Sequence, residues 1–434
     1  MIVVAGVLAA FRYRLYPKPQ QGRLLKSHLS ALCQLYNELR DIKIDKWRRE
    51  HASLSEDDLR RIALDMRKRD EDLREIHSQV VQNVATRVST AFRNYLEGRA
   101  RFPKRKRERR YRSFTYPQSG FRAFGKVVER GSRTELKGRL YLSKVGHVRI
   151  FMHRPLKGRI KNLTVKYDAG GWYAAFICEL PDRPRVQLKD VQEGRIKGGD
   201  LGLERFLTLS EGSLPNYPRY LRRSEVKIKR LQRVLSRAVK GSRNFRRLSF
   251  RIARLHLRVG RQREDYQNQV IAALFKENDV IILEKLRVSN MLKNHCLAKS
   301  IQDAAFGKFI DKAMFKANFL GKWFVPVDPW GTTQFCYNCL MWVPKDLSER
   351  QHRCPSCGLE LNADLNAARS IAQRGRFCVE QAPINEPYVM SQSIATKQVG
   401  TVTSHPFQGV VVDILELQLL CSLTHSYCLA SFSF

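Results

Sequence analysis

Four of the ten cysteines stand in two matched pairs, Cys336-Tyr-Asn-Cys339 and Cys354-Pro-Ser-Cys357, with fourteen residues between them. Two such knuckles wrap four thiolates tetrahedrally around one Zn²⁺, and a four-cysteine set leaves no open position for water. The metal would hold a fold rather than catalyse. Cys33, Cys178, Cys296, Cys378, Cys421 and Cys428 have no ligand spacing and read as core or incidental thiols. Three acids carry the other chemistry. Asp200 ends a short strand, RIKGGD, Glu284 ends the apolar run VIILE, and Asp364 lies in the first turn of the helical pattern ADLNAARSI. Each has a plainer role when taken alone: Asp200 as a turn cap, Glu284 as partner to an arginine, Asp364 as a complement to the helix dipole. At the ends of neighbouring elements of one α/β domain, the three can instead converge on two Mg²⁺ ions, hard cations that take oxygen ligands. Ions so held would activate water and stabilise the leaving oxygen of a phosphodiester.

Positioning these residues takes a sizeable fold. The chain has 434 residues, 43% of them hydrophobic, enough for two to three domains with real cores. It carries 79 Lys+Arg against 41 Asp+Glu, a net charge of +38. Such an excess fits a polyanionic partner, with nucleic acid the first candidate. From residue 377 onward Lys397 stands against Glu380, Glu386, Asp413 and Glu416, so residues 1–376 carry +41. The opening MIVVAGVLAAF lacks a basic n-region and runs into Arg12 and Arg14, and the apolar C-terminal stretch is interrupted by Asp413, Glu416 and His425. Neither reads as an export signal or a membrane span. Cysteines grouped for a metal rather than spread as a disulfide scaffold imply an intracellular protein.

Along the chain, FRYRLYPKP alternates and is stopped by Pro17 and Pro19, and a helical stripe follows from Leu24 to Leu39. A second helical region covers about 54–98, with Ile62, Met66, Val80, Val84, Val88 and Phe92 as its apolar positions. Residues 101–112, RFPKRKRERRYR, hold eight cations in twelve positions. A run of this kind is a solvated face, a flexible arm or a phosphate contact, and Tyr111, Phe114 and Tyr116 beside it offer stacking surface for bases. Short alternating strands occupy about 121–185. RIKGGDL and RFLTLS then open a second domain, followed by two basic helices at about 219–239 and 244–277. The strand DVIILEKL, a helix around 300–320, the strand KWFVPVDP, the cysteines and a last helix complete a mixed sheet flanked by helices.

The order GGDLGL, IILEKLRVSNM, DPWGTTQFCYNC and HRCPSCGLELNADLNAARSI resembles the TnpB family of insertion-sequence-encoded, RNA-guided DNA nucleases, related to Fanzor proteins and type V CRISPR effectors. The resemblance extends upstream through FPKRKRERRYRSFTYPQSGF and HSQVVQNVATRVSTAF to residue 11. It implies a multidomain α+β fold. Residues 11–190 would form a small β-barrel plus a nucleic-acid-binding lobe, with a helical insertion at about 20–112. Residues 191–376 would form a RuvC-like (RNase H-like) domain with a zinc ribbon inserted at 332–360, and 377–434 would be a tail without an assigned structure. Asp200, Glu284 and Asp364 would bind Mg²⁺ and catalyse, and Cys336, Cys339, Cys354 and Cys357 would hold Zn²⁺. The partners would be a guide RNA and a double-stranded DNA target, with no membrane, in the cytoplasm or nucleoid, and with monomer and homodimer both open.

Phosphate contacts are expected from Lys104, Arg105, Lys106, Arg107, Arg109 and Arg110 of the basic run and from Arg230, Arg233, Arg247, Arg254 and Arg263 of the helical pair. Three departures from the family pattern stand in the sequence. Gly199 replaces a branched apolar residue and should loosen the packing behind Asp200. Leu340 follows the first knuckle where glycine is usual. Asn362-Ala363 precedes Asp364 in place of Asp-Arg. Three other readings remain open on the residues alone: a guided DNA-binding protein without nuclease activity, a transposase or accessory protein acting on DNA ends, and a structural zinc-ribbon protein.

Overall fold

The computed structural model describes residues 7–130, 133–181, 183–213, 217–346 and 349–381. The N-terminal lobe begins with β1 (Val7–Tyr16), then α1 (Pro19–Glu50), α2 (Glu56–Arg69), α3 (Glu71–Arg74) and α4 (Ser78–Leu96). Six more strands follow: β2 (Ser113–Tyr116), β3 (Phe121–Arg130), β4 (Arg133–Leu142), β5 (Gly146–Met152), β6 (Arg159–Asp168) and β7 (Gly171–Leu180). They form one antiparallel sheet of order β2-β6-β7-β1-β5-β4-β3, so the first strand of the chain sits in the middle. Period-two alternation puts Ala9, Phe11, Tyr13 and Leu15 of β1 in the core and leaves Arg12 and Tyr16 outside. Pro17 stops that strand, and Pro19 starts α1 at a position where a missing N–H costs nothing. The leucine stripe of α1 (Leu25, Leu29, Leu32, Leu35, Leu39) packs with Val80, Val84 and Val88 of α4, as their spacing predicts.

The basic run is not a free arm. Arg40 of α1 donates to the Pro103 carbonyl at 2.8 Å, Asn37 accepts from the Lys106 amide at 2.7 Å, and Arg105 pairs with Asp41 at 3.1 Å. The expectation of a stacking surface beside it is overturned. Tyr111, Phe114 and Tyr116 are at most 4% exposed, because β2 turns Phe114 and Tyr116 inward and Tyr111, just before it, lies against Tyr36 of α1.

The second lobe holds β8 (Ile196–Asp200), β9 (Thr208–Leu209), β10 (Gly212–Ser213), α5 (Tyr220–Ser236), α6 (Arg243–Glu277) and β11 (Val280–Glu284). Then come α7 (Val288–Met291), α8 (Ala298–Ala304), α9 (Phe306–Leu320), β12 (Trp323–Val327), the short pair β13 (Gln351–Arg353) and β14 (Glu360–Asn362), and α10 (Ala363–Gln381). Its sheet runs β10-β9-β8-β11-β12, with β8, β11 and β12 mutually parallel. Every residue of β11 is buried, the mark of a strand covered on both faces. Each of its aliphatic side chains contributes about 1.5–3 kcal/mol by leaving water.

A glycine in β8 lets the strand and helix of the site meet. A Cβ at Gly198 would stand 2.4 Å from the Ala368 carbonyl and the Ala372 amide, so only glycine lets α10 lie directly on β8. Gly199 does not loosen its surroundings as expected. Leu207 and Leu283 fill the space a side chain would take, at 2.7 and 2.8 Å from its Cβ position.

Candidate metal centre and nucleic-acid surface

The parallel register places the acids. Leu283 lies opposite Gly199, so Glu284 of β11 comes beside Asp200 of β8 at the same end of the sheet. Glu284 in turn pairs with Val327, and Asp328 follows directly on β12. Three parallel strands thus end in acids, the third of which sequence reasoning missed. Asp364 joins them from the first turn of α10. Asn362, one of the departures, is the cap of that helix: its side-chain oxygen accepts from the Asp364 amide at 3.0 Å, a role asparagine fills well. Arg350 lies 3.5 Å from Asp364.

Electrostatics register the crowding. Burial, and then the charges of Glu284 and Asp364, push the Asp200 carboxyl up to about 7. Burial also raises Glu284, with Asp328 adding to the rise, while the Thr332 hydroxyl and Arg374 oppose it. Thr332 is 1% exposed and donates its hydroxyl to Glu284 Oε1. Among the described residues, only the cysteines bring three or more ligand atoms within 4.8 Å of one another. Asp200, Glu284 and Asp364 therefore stand farther apart as a trio, yet near enough to act on each other's charge. Oxygen-only donors with an excess of negative charge suit Mg²⁺.

Two outcomes follow. In the folded chain Asp200 keeps its proton up to about pH 7, whereas an unfolded chain loses it near 3.8. The Mg²⁺-free protein should therefore lose stability as pH rises from 4 to 7 and level off above, which thermal melts with zinc retained will read. Thr332→Val keeps the shape but removes the support of Glu284. If these acids hold the Mg²⁺ of a nuclease, it should raise the Mg²⁺ concentration needed for half-maximal cleavage by about ten- to a hundredfold.

The cysteine set fits its metal. Cys336 and Cys357 sulfurs are 3.7 Å apart and those of Cys339 and Cys354 3.4 Å. Tetrahedral Zn–S bonds of about 2.3 Å imply sulfur separations of about 3.8 Å. Hydrogen bonds from Asn338 and the Leu359 backbone draw the Cys357 thiol down to about 6, while Cys336, by burial, and Cys339, beside the other thiols, are raised. Leu340 adopts φ +61°, the left-handed region where glycine costs nothing and leucine is strained. The ribbon is tied to the acids through Asn366, which is fully buried in the second turn of α10. It donates to the Phe335 carbonyl at 2.7 Å and accepts from the Tyr337 amide at 3.0 Å.

A family model described as a probable transposase, of the IS605 OrfB type, matches residues 177–295. A Cas12f1-like TNB domain model matches 306–371, and a helix-turn-helix model of the OrfB type matches 1–51. In the structure the described part of that last span is a strand and one long helix. A Streptomyces pristinaespiralis protein, provisionally named an RNA-guided DNA endonuclease, is 29% identical over 85% of this chain and 90% of its own length. The Escherichia coli K12 protein InsQ, given the same provisional name, is 30% identical over 70% of this chain and 76% of its own length. The chain belongs to the TnpB family. Its fold is also that of a solved Cas12f1 chain, from a complex with single-guide RNA and target DNA. That likeness has a TM-score of 0.53 at 11% identity, over 85% of this chain and 99% of the other.

For a TnpB-family chain the fate of the basic residues matters, and they divide. Lys104, Arg107, Arg109, Arg110, Arg230, Arg233, Arg247 and Arg254 are exposed. Arg105 is exposed but shared with Asp41. Lys106 is also exposed along its length, yet its ammonium sits 3.9 Å from the Tyr36 ring centre, and desolvation there, with Arg87 beside it, draws it down to about 8. Arg263 corrects the expectation outright: it is turned inward, 2.8 Å from the buried Asp303, which also accepts from the Leu221 amide. That network joins α6, α8 and the start of α5.

Sequence reasoning also missed a surface. Across β1, β5, β4 and β3, Tyr16 lies opposite Arg149, Arg149 opposite Arg139, and Arg139 opposite Phe124, and all four are exposed. Tyr141, Arg122 and His147 continue the pattern one row on. Aromatic rings set beside guanidiniums suit unpaired bases and their phosphates. The signal lay in the solvent-side positions of the alternating strands, which are read for their apolar partners.

No helix among the described residues is long and apolar enough to cross a membrane. Residues 377–381 continue α10, and the rest of the tail lies outside the described residues, as do residues 1–6.

Proposed function

We propose that the chain is the RNA-guided DNA endonuclease of an insertion sequence, cutting DNA beside a short transposon-adjacent motif. The observation that carries this is the meeting of Asp200, Glu284 and Asp364 from β8, β11 and α10 at one end of a mixed sheet. Strands of this order, with the acids so placed, support a RuvC-like (RNase H-like) reading of residues 191–376. The N-terminal sheet, whose ends β2 and β3 are joined by a short turn, supports the small-barrel reading. The names given to the relatives support guide RNA and DNA as the ligands.

In this reading a guide pairs with the target strand and the protein holds backbones and reads the adjacent motif. The exposed arginines of α5 and α6 and the 101–112 run grip phosphates, and the Tyr16–Phe124 face stacks unpaired bases. Asp200, Glu284 and Asp364 would hold two Mg²⁺ ions, which supply an activated water and stabilise the leaving oxygen. Glu284 is kept in place by Thr332, Asp364 by the Asn362 cap, and the four cysteines would hold Zn²⁺ in the ribbon between them.

The test is to purify the chain, sequence the RNA that comes with it, and offer a plasmid that matches its guide segment beside a randomised stretch, with Mg²⁺ present. Cleavage is expected, confined to plasmids with one adjacent motif. The Arg350–Asp364 ion pair favours one other reading, a guided binder that does not cut. Guided binding without cleavage would select it, and the absence of any defined RNA would sink both.

A further inference from the structure

Where the β6–β7 hairpin meets α6 there is a cavity of about 310 Å³ lined by Arg14, Arg254, Arg258 and Arg261, with Ala169 of the hairpin turn on its wall. Its volume is at the low end of ligand sites, about 300–1,000 Å³. Among the described residues no carboxylate lines it. The nearby acids are engaged elsewhere: Asp168 by Arg112 and Lys166, at 3.7 and 3.4 Å, and Glu264 by Arg12 at 3.5 Å.

The cluster is built rather than incidental. Tyr173 of β7 accepts from Arg14 at 2.8 Å and from Arg261 at 2.5 Å, and both guanidiniums also lie over its ring. One neutral hydroxyl thus holds two cations side by side. The turn makes room for them. A Cβ at Gly171 would stand 2.5 Å from the Arg14 guanidinium carbon, and one at Gly170 would stand 1.9 Å from the Phe250 ring, which carries Arg254 at 4.7 Å. Arg14 Nε is buried without a partner, and Arg258 makes no ion pair among the described residues. Four cations around one space repel each other until an anion enters, and a guanidinium fork matches the oxygens of phosphate.

We infer that this cavity is a phosphate-binding pocket that seats a single phosphodiester of the nucleic acid held across the two lobes. The inference rests on the proposed function only for the identity of the molecule that carries the phosphate. A phosphate fixed there would pin the strand's register, as backbone contacts do, without reading a base.

The experiment uses the full zinc-loaded chain and Arg258→Gln, with zinc content and melting behaviour confirming the fold. The co-purifying RNA, and separately its DNA target, are remade with one uncharged methylphosphonate linkage at a time. One linkage should cost the wild type about tenfold or more in affinity and cost the variant nothing. Whether that linkage is in the RNA or the DNA names the source. Inorganic pyrophosphate is the second probe, expected to raise the melting temperature of the wild type and not of the variant. If the linkages act evenly and alike in both proteins, and pyrophosphate does not distinguish them, the pocket is overturned while the guided nuclease stands. If no defined RNA co-purifies, the guided reading falls and the pyrophosphate comparison alone decides the pocket.

Discussion

Replacing Asp200 by Asn is expected to slow guided cleavage by about a thousandfold or more, the equivalent of several kcal/mol of lost charge stabilisation. RNA retention and guided DNA binding should be unchanged. The substitution preserves the volume of a residue set between Gly199 and the short strand opposite, where Asp200 pairs with Thr208. It removes only the charge that Glu284 and Asp364 already oppose. For that reason the same variant should be more stable than the wild type in Mg²⁺-free buffer at neutral pH. A gain of roughly one kcal/mol would move the melting temperature by about 2–4 °C. Its melting should also lose most of the pH dependence between 4 and 7. A stabilised protein that no longer cuts is the signature of an acid kept for its ligand rather than for the fold. Single-turnover cleavage and parallel melts check both halves, and an Asp200→Asn protein that still cuts at the wild-type rate would remove Asp200 from the centre.

The second large effect belongs to the ribbon. Cys354→Ser should abolish zinc binding and reduce cleavage to background, although no cysteine touches the reacting atoms. The binding energy of a structural zinc site, about 10–16 kcal/mol in small domains, is folding energy for the segment around it. Without it the loop 332–360 has little else: β13 and β14 have three residues each, and Trp330 and Trp342 are well exposed. The same loop delivers Thr332 to Glu284 and Phe335 to Asn366. Zinc stoichiometry by mass spectrometry and the cleavage assay will check this. RNA retention is the control, since the N-terminal sheet has its own core.

Much of this was legible in the sequence because one-dimensional spacing determined it. The leucine stripe of α1, the alternation of β1 and the two cysteine pairs are local patterns, and each became the element its period required. Asp200 and Glu284 stood out because each ends a short strand, and Asp364 because it opens a helical pattern. What escaped depended on pairing between distant segments. Asp328 joins the acids only through the register of β12 on β11, which no local pattern encodes. Asn366 and Thr332 look like ordinary helix and loop residues until the ribbon folds back on α10. Tyr111, Phe114 and Tyr116 were misread because a basic run beside aromatics suggests a surface, whereas β2 is an edge strand with its side chains under α1 and α4. Arg263 was misread for the converse reason: a basic helix has a buried side too, and there a guanidinium needs an Asp303.

The lie of α10 on the two-glycine strand has a consequence for synthesis. Asp364 leaves the ribosome 164 residues after Asp200, roughly ten to thirty seconds later at usual elongation rates. Once residue 277 is made, the N-terminal sheet, the arginine pocket and the basic helices are complete, but β8 has no helix to cover it and the third acid is missing. A message cut short between the end of α6 at residue 277 and Asp364 yields a chain equipped to hold nucleic acid and unable to cut it. Truncated copies of such a gene would therefore act as competitors of the intact one.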